Sequence, residues 1–175
     1  MTRAVLSLGS NLGDRFGHLR SAVVALRDVL LVVSGVYETP PWGDDPDQPA
    51  YLNAVLLVAD PAASPRDWLD RAHAIEDAAG RTRDPDRRYG PRSLDVDVIG
   101  VWTEDGAPVH SDDPELTLPH PRAHLRAFVL RPWIDIQPYG KLPGHGWLTD
   151  VMNTDPVATD VLEMRPRPDL QLESI

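Results

Sequence analysis

Residues 80–100 read GRTRDPDRRYGPRSLDVDVIG, and the last third of that stretch decides the fold. Leu94, Val96 and Val98 alternate with Asp95 and Asp97. Segment 94–101 is therefore a strand with apolar side chains on one face and two carboxylates on the other. The chain before it supplies the order β-α-β-β-α, and this strand completes βαββαβ, the ferredoxin-like pattern of an α+β domain. Five arginines, Arg81, Arg83, Arg87, Arg88 and Arg92, crowd the twelve residues 81–92. A basic loop running into an acidic strand suits a polyanionic ligand and the hard cations that accompany phosphates.

Working outward, residues 3–9 (RAVLSLG) are rich in Val and Leu and read as the first strand. Residues 10–14 are a turn, with Asp14 as helix N-cap. Leu19, Ala22, Val23, Leu26, Val29 and Leu30 fall at helical spacing, which predicts a helix of roughly four or five turns. Residues 31–38 read as the second strand, closed by Pro40 and Pro41, and residues 51–59 as the third. The loop between them is too short for a helical crossover, so the two are expected antiparallel. Ser64-Pro65-Arg66-Asp67 then opens a helix with N-cap, Pro at N1 and an acid at N3, and Gly80 stops it. Beyond the fourth strand, Gly106 marks a hairpin and 116–120 is extended. A short helix is expected over 123–130, with Pro132 interrupting the chain after it, and another over 147–152. Residues 1–155 are expected to form one domain, with helices on one face of an antiparallel sheet. Residues 156–175 form a tail, read as a strand fragment or disordered.

The chain has 175 residues and a formal charge of −10, which disfavours a nucleic-acid partner. Residues 81–92 run against that sign, so the expected ligand is a small anion. There is no cysteine, which removes disulfides, zinc thiolates and thiol catalysis. Lys141 is the single lysine, so no P-loop lysine stands in its usual place. No signal peptide or membrane span is read, and a cytoplasmic monomer is expected.

Asp95 and Asp97 share a strand face and would repel unless a cation lies between them. Mg²⁺ with nucleotide phosphates is one reading; a solvated face paired with Arg92 is the other. The arginines can grip phosphates bidentately, or form only a charged, solvated loop. His73 and Glu76 stand one helical turn apart just before that loop, or are merely helix surface. His120 and His124 form a pair too poor in further ligands for zinc. Tyr51 and Phe128 are core candidates by default. Asn53, on the face of Tyr51, could offer donor and acceptor to a flat heterocycle. No nucleophile elbow is present.

The strings LSLGSNLGDR (6–15), ETPPWG (38–43), DQPAYLNAV (47–55), residues 80–100 and LTLPHPRAHLRAFVL (116–130) together resemble the 6-hydroxymethyl-7,8-dihydropterin pyrophosphokinase family. The resemblance implies the ferredoxin-like fold and transfer of pyrophosphate from ATP to the pterin hydroxymethyl group, with release of AMP. It implies two Mg²⁺ ions on Asp95 and Asp97. It implies a pterin between Tyr51 and Phe128, its edge read by Asn53 and by Thr39, Pro40 and Trp42. ATP contacts are implied at His73, Glu76, Arg83, Tyr89 and Arg92, and at Thr117, His120 and Arg126. Arg81, Arg83, Arg92 and Asp97 would be catalytic. His73, Tyr89, Glu115 and Pro121 depart from residues common in the family at those places. The competing class is a non-catalytic ferredoxin-like module that senses ATP.

Overall fold

A computed structural model describes residues 1–41, 47–80 and 93–173. Trp42 and the arginine loop, with Arg81, Arg83, Arg87, Arg88, Tyr89 and Arg92, lie outside the described residues. The chain runs β1 (Thr2–Ser10), α1 (Arg15–Ala25), β2 (Leu30–Val33), β3 (Tyr37–Thr39), β4 (Tyr51–Asp60), α2 (Pro65–Ala78) and β5 (Asp95–Thr103). It continues through β6 (Ser111–Asp113), β7 (Leu116–Leu118), α3 (Ala127–Ile136), β8 (Lys141–Leu142), β9 (Gly146–Trp147), α4 (Leu148–Met152), α5 (Val157–Asp160) and β10 (Arg165–Pro166). The main sheet has the order β10-β3-β4-β1-β5, with β2 also pairing β4, and its pairs are all antiparallel. The βαββαβ order and the antiparallel second and third strands are as the sequence predicts.

The alternation of β1 and β4 sorts side chains into two cores. Ala4, Leu6 and Leu8 with Ala54, Leu56 and Val58 face α1 and α2. Val5, Val55 and Ile99 face α3, α4 and α5. The two helices of the βαββαβ unit thus share one face, as expected, and the C-terminal helices cover the other. A bulge in β5 adjusts this sorting. The β1 register jumps between Val5, opposite Gly100, and Leu6, opposite Val98, which leaves Ile99 as the extra residue. Gly100 makes room for the Trp102 ring, since a Cβ there would lie 2.6 Å from it. That ring meets Trp133 of α3 edge-on, centroids 6.1 Å apart.

Helix starts follow local chemistry. Asp14 caps α1 by accepting the Gly17 N–H at 3.0 Å. Ser64 and Asp67 form a reciprocal capping box on α2, at 3.3 and 2.8 Å. Gly80, at φ +81°, ends that helix.

Three expectations need correction. First, α1 stops at Ala25, eleven residues long, instead of running to Leu30. Leu26 and Val29 are buried from a turn, and the Val29 carbonyl receives the Ala59 N–H at 2.9 Å, so the apolar spacing continues past the helix end for a tertiary reason. Second, the strand expected over 31–38 is broken between β2 and β3. There the Ser34 hydroxyl takes the place of a ladder carbonyl and accepts the Val55 N–H at 2.8 Å. Third, Pro132 does not interrupt a helix. A short 3₁₀ turn at Ala123–Leu125 precedes α3, which passes through Pro132 to Ile136. A proline inside a helix costs about 3 kcal/mol. Burial of Val129, Leu130 and Trp133, each at 1% exposure or less, offsets it at about 1.5–3 kcal/mol per side chain.

Of the two readings of the tail, a strand fragment or disorder, the structure has the strand fragment, and it is docked. Arg165 and Pro166 of β10 pair with Glu38 and Tyr37 of β3. Val157 and Leu172 are buried, one in each core.

Candidate active site

One end of the sheet collects the candidate residues on the face that α3 covers. The ladder sets them in rows, with Tyr37 opposite Asn53, Asn53 opposite Gly9 and Gly9 opposite Asp95. Thr39 stands opposite Tyr51, and Ser7 lies between Val55 and Asp97. Asn53 and Asp95 are thus two strand spacings apart, about 10 Å. Asn53 is 3% exposed and its amide donates to the Thr39 hydroxyl at 2.6 Å. Gly9 is what allows this packing, because a Cβ there would sit 3.1 Å from Asn53 Oδ1 and 3.5 Å from the Tyr51 ring.

A second group lines a cleft of about 310 Å³ between α2, β5 and the β7 segment. His73, Glu76, Asp97, Thr117 and His120 all border it. Glu76 is 3% exposed, and its carboxylate accepts the Val96 N–H at 3.1 Å. That bond fixes the backbone between the two aspartates. His120 is held by its own N–H, which donates to the Ile99 carbonyl at 2.8 Å. Its Nδ1 accepts the Arg122 N–H at 3.1 Å, which leaves Nε2–H as the ring donor. Burial pushes the His120 pKa down despite the opposing pull of Asp97, so the ring is held toward its neutral form.

Arg126 links α3 to the acidic strand. Its guanidinium lies 5.4 Å over the Phe128 ring and its Nη1 is 3.6 Å from Asp97 Oδ2. Burial lowers its pKa, the Asp97 charge works the other way, and an arginine stays cationic in either case. Its Nε is buried with no hydrogen-bond partner among the described residues, a donor available to an anion.

Twelve of the sequence-predicted site residues are described. Thr39, Tyr51, Asn53 and Asp95 share the sheet rows, His73, Glu76, Asp97, Thr117 and His120 border the cleft, and Arg126 lies against Asp97 and Phe128. Pro40 is exposed just beyond β3. Arg81, Arg83, Arg92, Tyr89 and Trp42 lie outside the described residues. Sequence reading missed Gly9, whose role depends on which residue lies across the ladder. It also missed Tyr37, whose hydroxyl donates to Asp135 of α3, with Arg131 stacked 5.7 Å over its ring. Burial first, then Asp135, raises the Tyr37 pKa to about 12. That contact ties β3 to the helix that carries Phe128. Among the described residues no three His, Asp or Glu side chains form a metal cage. Two adjacent carboxylates still fit a Mg²⁺ whose other ligands are waters and substrate phosphates.

Fold and site together define an α+β domain with a ferredoxin-like core and a cleft lined by histidines and carboxylates at the edge of the acidic strand. The model of the 7,8-dihydro-6-hydroxymethylpterin-pyrophosphokinase family matches residues 5–138, and the chain belongs to that family. A relative from Mycobacterium tuberculosis named 2-amino-4-hydroxy-6-hydroxymethyldihydropteridine pyrophosphokinase is 52% identical over 146 residues, covering 81% of this chain and 76% of its own. Relatives of the same name from Methylorubrum extorquens and Bacillus subtilis are 44% and 37% identical, over 79% and 76% of this chain and 84% and 77% of theirs. Among solved structures, an HPPK-DHPS protein in complex with substrates superposes with TM-score 0.65 at 11% identity, covering 94% of this chain. A Plasmodium falciparum HPPK-DHPS triple mutant with pteroate gives 0.64 at 14% over the same share. This chain spans 46% of each of those two chains, and the likeness concerns the fold.

Proposed function

We propose that this chain transfers the pyrophosphate group of ATP to the hydroxymethyl oxygen of 6-hydroxymethyl-7,8-dihydropterin, releasing AMP, in folate biosynthesis. The observation that carries the reading is Arg126, which lies against both Phe128 and Asp97 of the acidic strand. A pterin lying between Tyr51 and Phe128 would offer its polar edge to Asn53 and Thr39. Its hydroxymethyl group would extend toward Asp95 and Asp97. The triphosphate would occupy the cleft bordered by His73, Glu76, Thr117 and His120, with Arg126 and the arginines of residues 81–92 on its charges.

In the step itself the substrate oxygen attacks the β-phosphorus. The bond from that phosphorus to the oxygen shared with the α-phosphate breaks, and AMP leaves with the electron pair. The hydroxyl proton passes to a carboxylate, Asp97 or Asp95, or to water. No covalent enzyme intermediate is needed, because positioning and electrostatics carry phosphoryl transfer. Asp95 and Asp97 would hold Mg²⁺, two ions in this reading, which supply charge neutralisation at the phosphates and a lower pKa for the attacking hydroxyl. Arg81, Arg83 and Arg92 would stabilise charge on the departing AMP.

No helix among the described residues is long and apolar enough to cross a membrane. The reading has the protein as a cytoplasmic monomer acting on small molecules, the first part checked by subcellular fractionation and the second by light scattering at assay concentration. The deciding experiment incubates the chain with ATP, Mg²⁺ and the hydroxymethyl-dihydropterin and separates the nucleotides. AMP is expected in step with pterin consumption, and chelation of Mg²⁺ is expected to stop it. ADP instead would make it an ordinary kinase, and bound but intact ATP would favour the sensor.

A further inference from the structure

We infer that the C-terminal strap, residues 164–173, positions the pterin end of the site through a three-residue ionic clamp, Arg167–Glu38–Arg15. This rests on the proposed function, and it assigns a role to a segment beyond the matched residues 5–138. Arg167 Nη1 donates to Glu38 Oε2 at 3.0 Å. Arg15 Nη1 donates to the same oxygen at 3.2 Å and to the Ala50 carbonyl at 3.0 Å. Glu38 immediately precedes Thr39 on β3, and Ala50 immediately precedes Tyr51 on β4. Arg15 therefore spans the two strands at the end where Thr39 stands opposite Tyr51. Glu38 is the hub, and Arg167 is the arm that the strap contributes.

The clamp has features of a positioning device. Arg15 sits at the first position of α1, where a cation works against the helix dipole, so helix stability does not explain it. The three side chains are 21–32% exposed, more enclosed than the freely solvated pairs that contribute little. Two arginines converge on one carboxylate oxygen, and Asp169 takes the other edge of the Arg167 guanidinium at 3.0 and 2.9 Å. The strap has its own anchors on either side of Arg167. β10 pairs with β3, the Arg167 N–H donates to the Val36 carbonyl at 2.8 Å, and Leu172 is buried in the first core. Removing the guanidinium thus leaves the strap docked and Glu38 held by Arg15 alone, which loosens the ends of β3 and β4 that present Thr39 and Tyr51. The nucleotide cleft, on the far side of β1, is not touched.

The test compares Arg167→Ala, Arg167→Lys and Glu38→Gln with the unmodified full-length chain. The readouts are steady-state KM for each substrate, kcat, thermal unfolding, and a fluorescence titration of the pterin in the presence of a non-hydrolysable ATP analogue. Arg167→Ala should raise the pterin KM about fivefold and Glu38→Gln about tenfold, with kcat and the ATP KM within about twofold of wild type. Arg167→Lys should recover part of the loss. Unchanged pterin KM in both charge-removing variants overturns the clamp. So does an equal rise in both KM values, or a lowered unfolding temperature without a split between substrates. The AMP assay on the unmodified chain separates the two ideas. No AMP there sinks the proposed function, whereas AMP there with wild-type pterin KM in the variants sinks the clamp alone.

Discussion

Gly9→Ala is the sharpest probe of the proposed pterin site, because the added methyl has one defined consequence. Gly9 is not among the glycines with positive φ, so the backbone accepts an alanine. The new Cβ would lie 3.1 Å from Asn53 Oδ1 and 3.5 Å from Tyr51 Cδ1, so something must give by a few tenths of an ångström. Asn53 cannot rotate away cheaply, being 3% exposed and bonded to Thr39 at 2.6 Å. Displacing it weakens either that bond or the bond proposed from it to the pterin, about 1–2 kcal/mol for a buried polar group. That converts to a loss of pterin affinity of about 5- to 30-fold. Stability should change little, since replacing a glycine stiffens the unfolded chain by about 0.4–1 kcal/mol in the opposite direction. Pterin KM from AMP release, pterin affinity by fluorescence titration and thermal unfolding together read the effect. The control is Gly35→Ala, where an added Cβ meets nothing within 4 Å and no change in pterin KM is expected. A wild-type pterin KM in Gly9→Ala, or an equal rise in the control, would refute the packing argument.

Further expectations concern the acidic strand, the slot, the core and the cleft histidine. Asp97→Asn should lower kcat by about three orders of magnitude or more with the fold intact; near-normal AMP release would remove Asp97 from the metal site. Tyr51→Ala should raise pterin KM about tenfold or more with ATP affinity unchanged, as read by the same kinetics. Thr2→Val leaves two buried groups unpaired, since the Thr2 hydroxyl accepts from Trp68 Nε1 at 2.8 Å and donates to the Ala63 carbonyl at 2.9 Å. Denaturant unfolding should register a loss of about 1–3 kcal/mol. His120 has a native pKa below its ordinary 6.5, so its contribution is complete above that value and is lost as pH falls from there toward the native pKa, where the unfolded chain takes a proton the fold resists. His145, also lowered by burial, acts in the same direction. The wild-type unfolding temperature should therefore fall more steeply than that of His120→Gln between about pH 7 and pH 5, and parallel curves would contradict the burial argument.

Much of the fold was legible because local chemistry and tertiary need agreed. Ser64, Pro65 and Asp67 open α2 as their residue types predict, and the alternation of Leu94 to Val98 sends two carboxylates to one face. The misreadings lie where a distant contact overrides the local pattern. Leu26 and Val29 keep helical spacing in a turn because the core requires them. Pro132 is tolerated because Val129, Leu130 and Trp133 bury so completely. Residue types in recognisable strings make Asp97, Asn53 and His120 candidates, and the fold places them on the sheet rows and at the cleft. No string announces Gly9, Tyr37 or Arg167, because their contacts depend on which residue lies across the ladder or beneath the strap.

The position of β1 has a consequence for how the chain is made. The first strand synthesised lies between β4 and β5. It cannot be enclosed until residues 51–60 and 95–103 have also been translated. At synthesis speeds of about 5–20 residues per second, both edges of a Val- and Leu-rich segment wait several seconds for partners. Strand pairing over such sequence separations is slow, and an unpaired apolar edge invites association with other chains. Slowing translation between β1 and β5 should therefore lengthen the nascent chain's exposure to aggregation, whereas a pause after residue 103 should not.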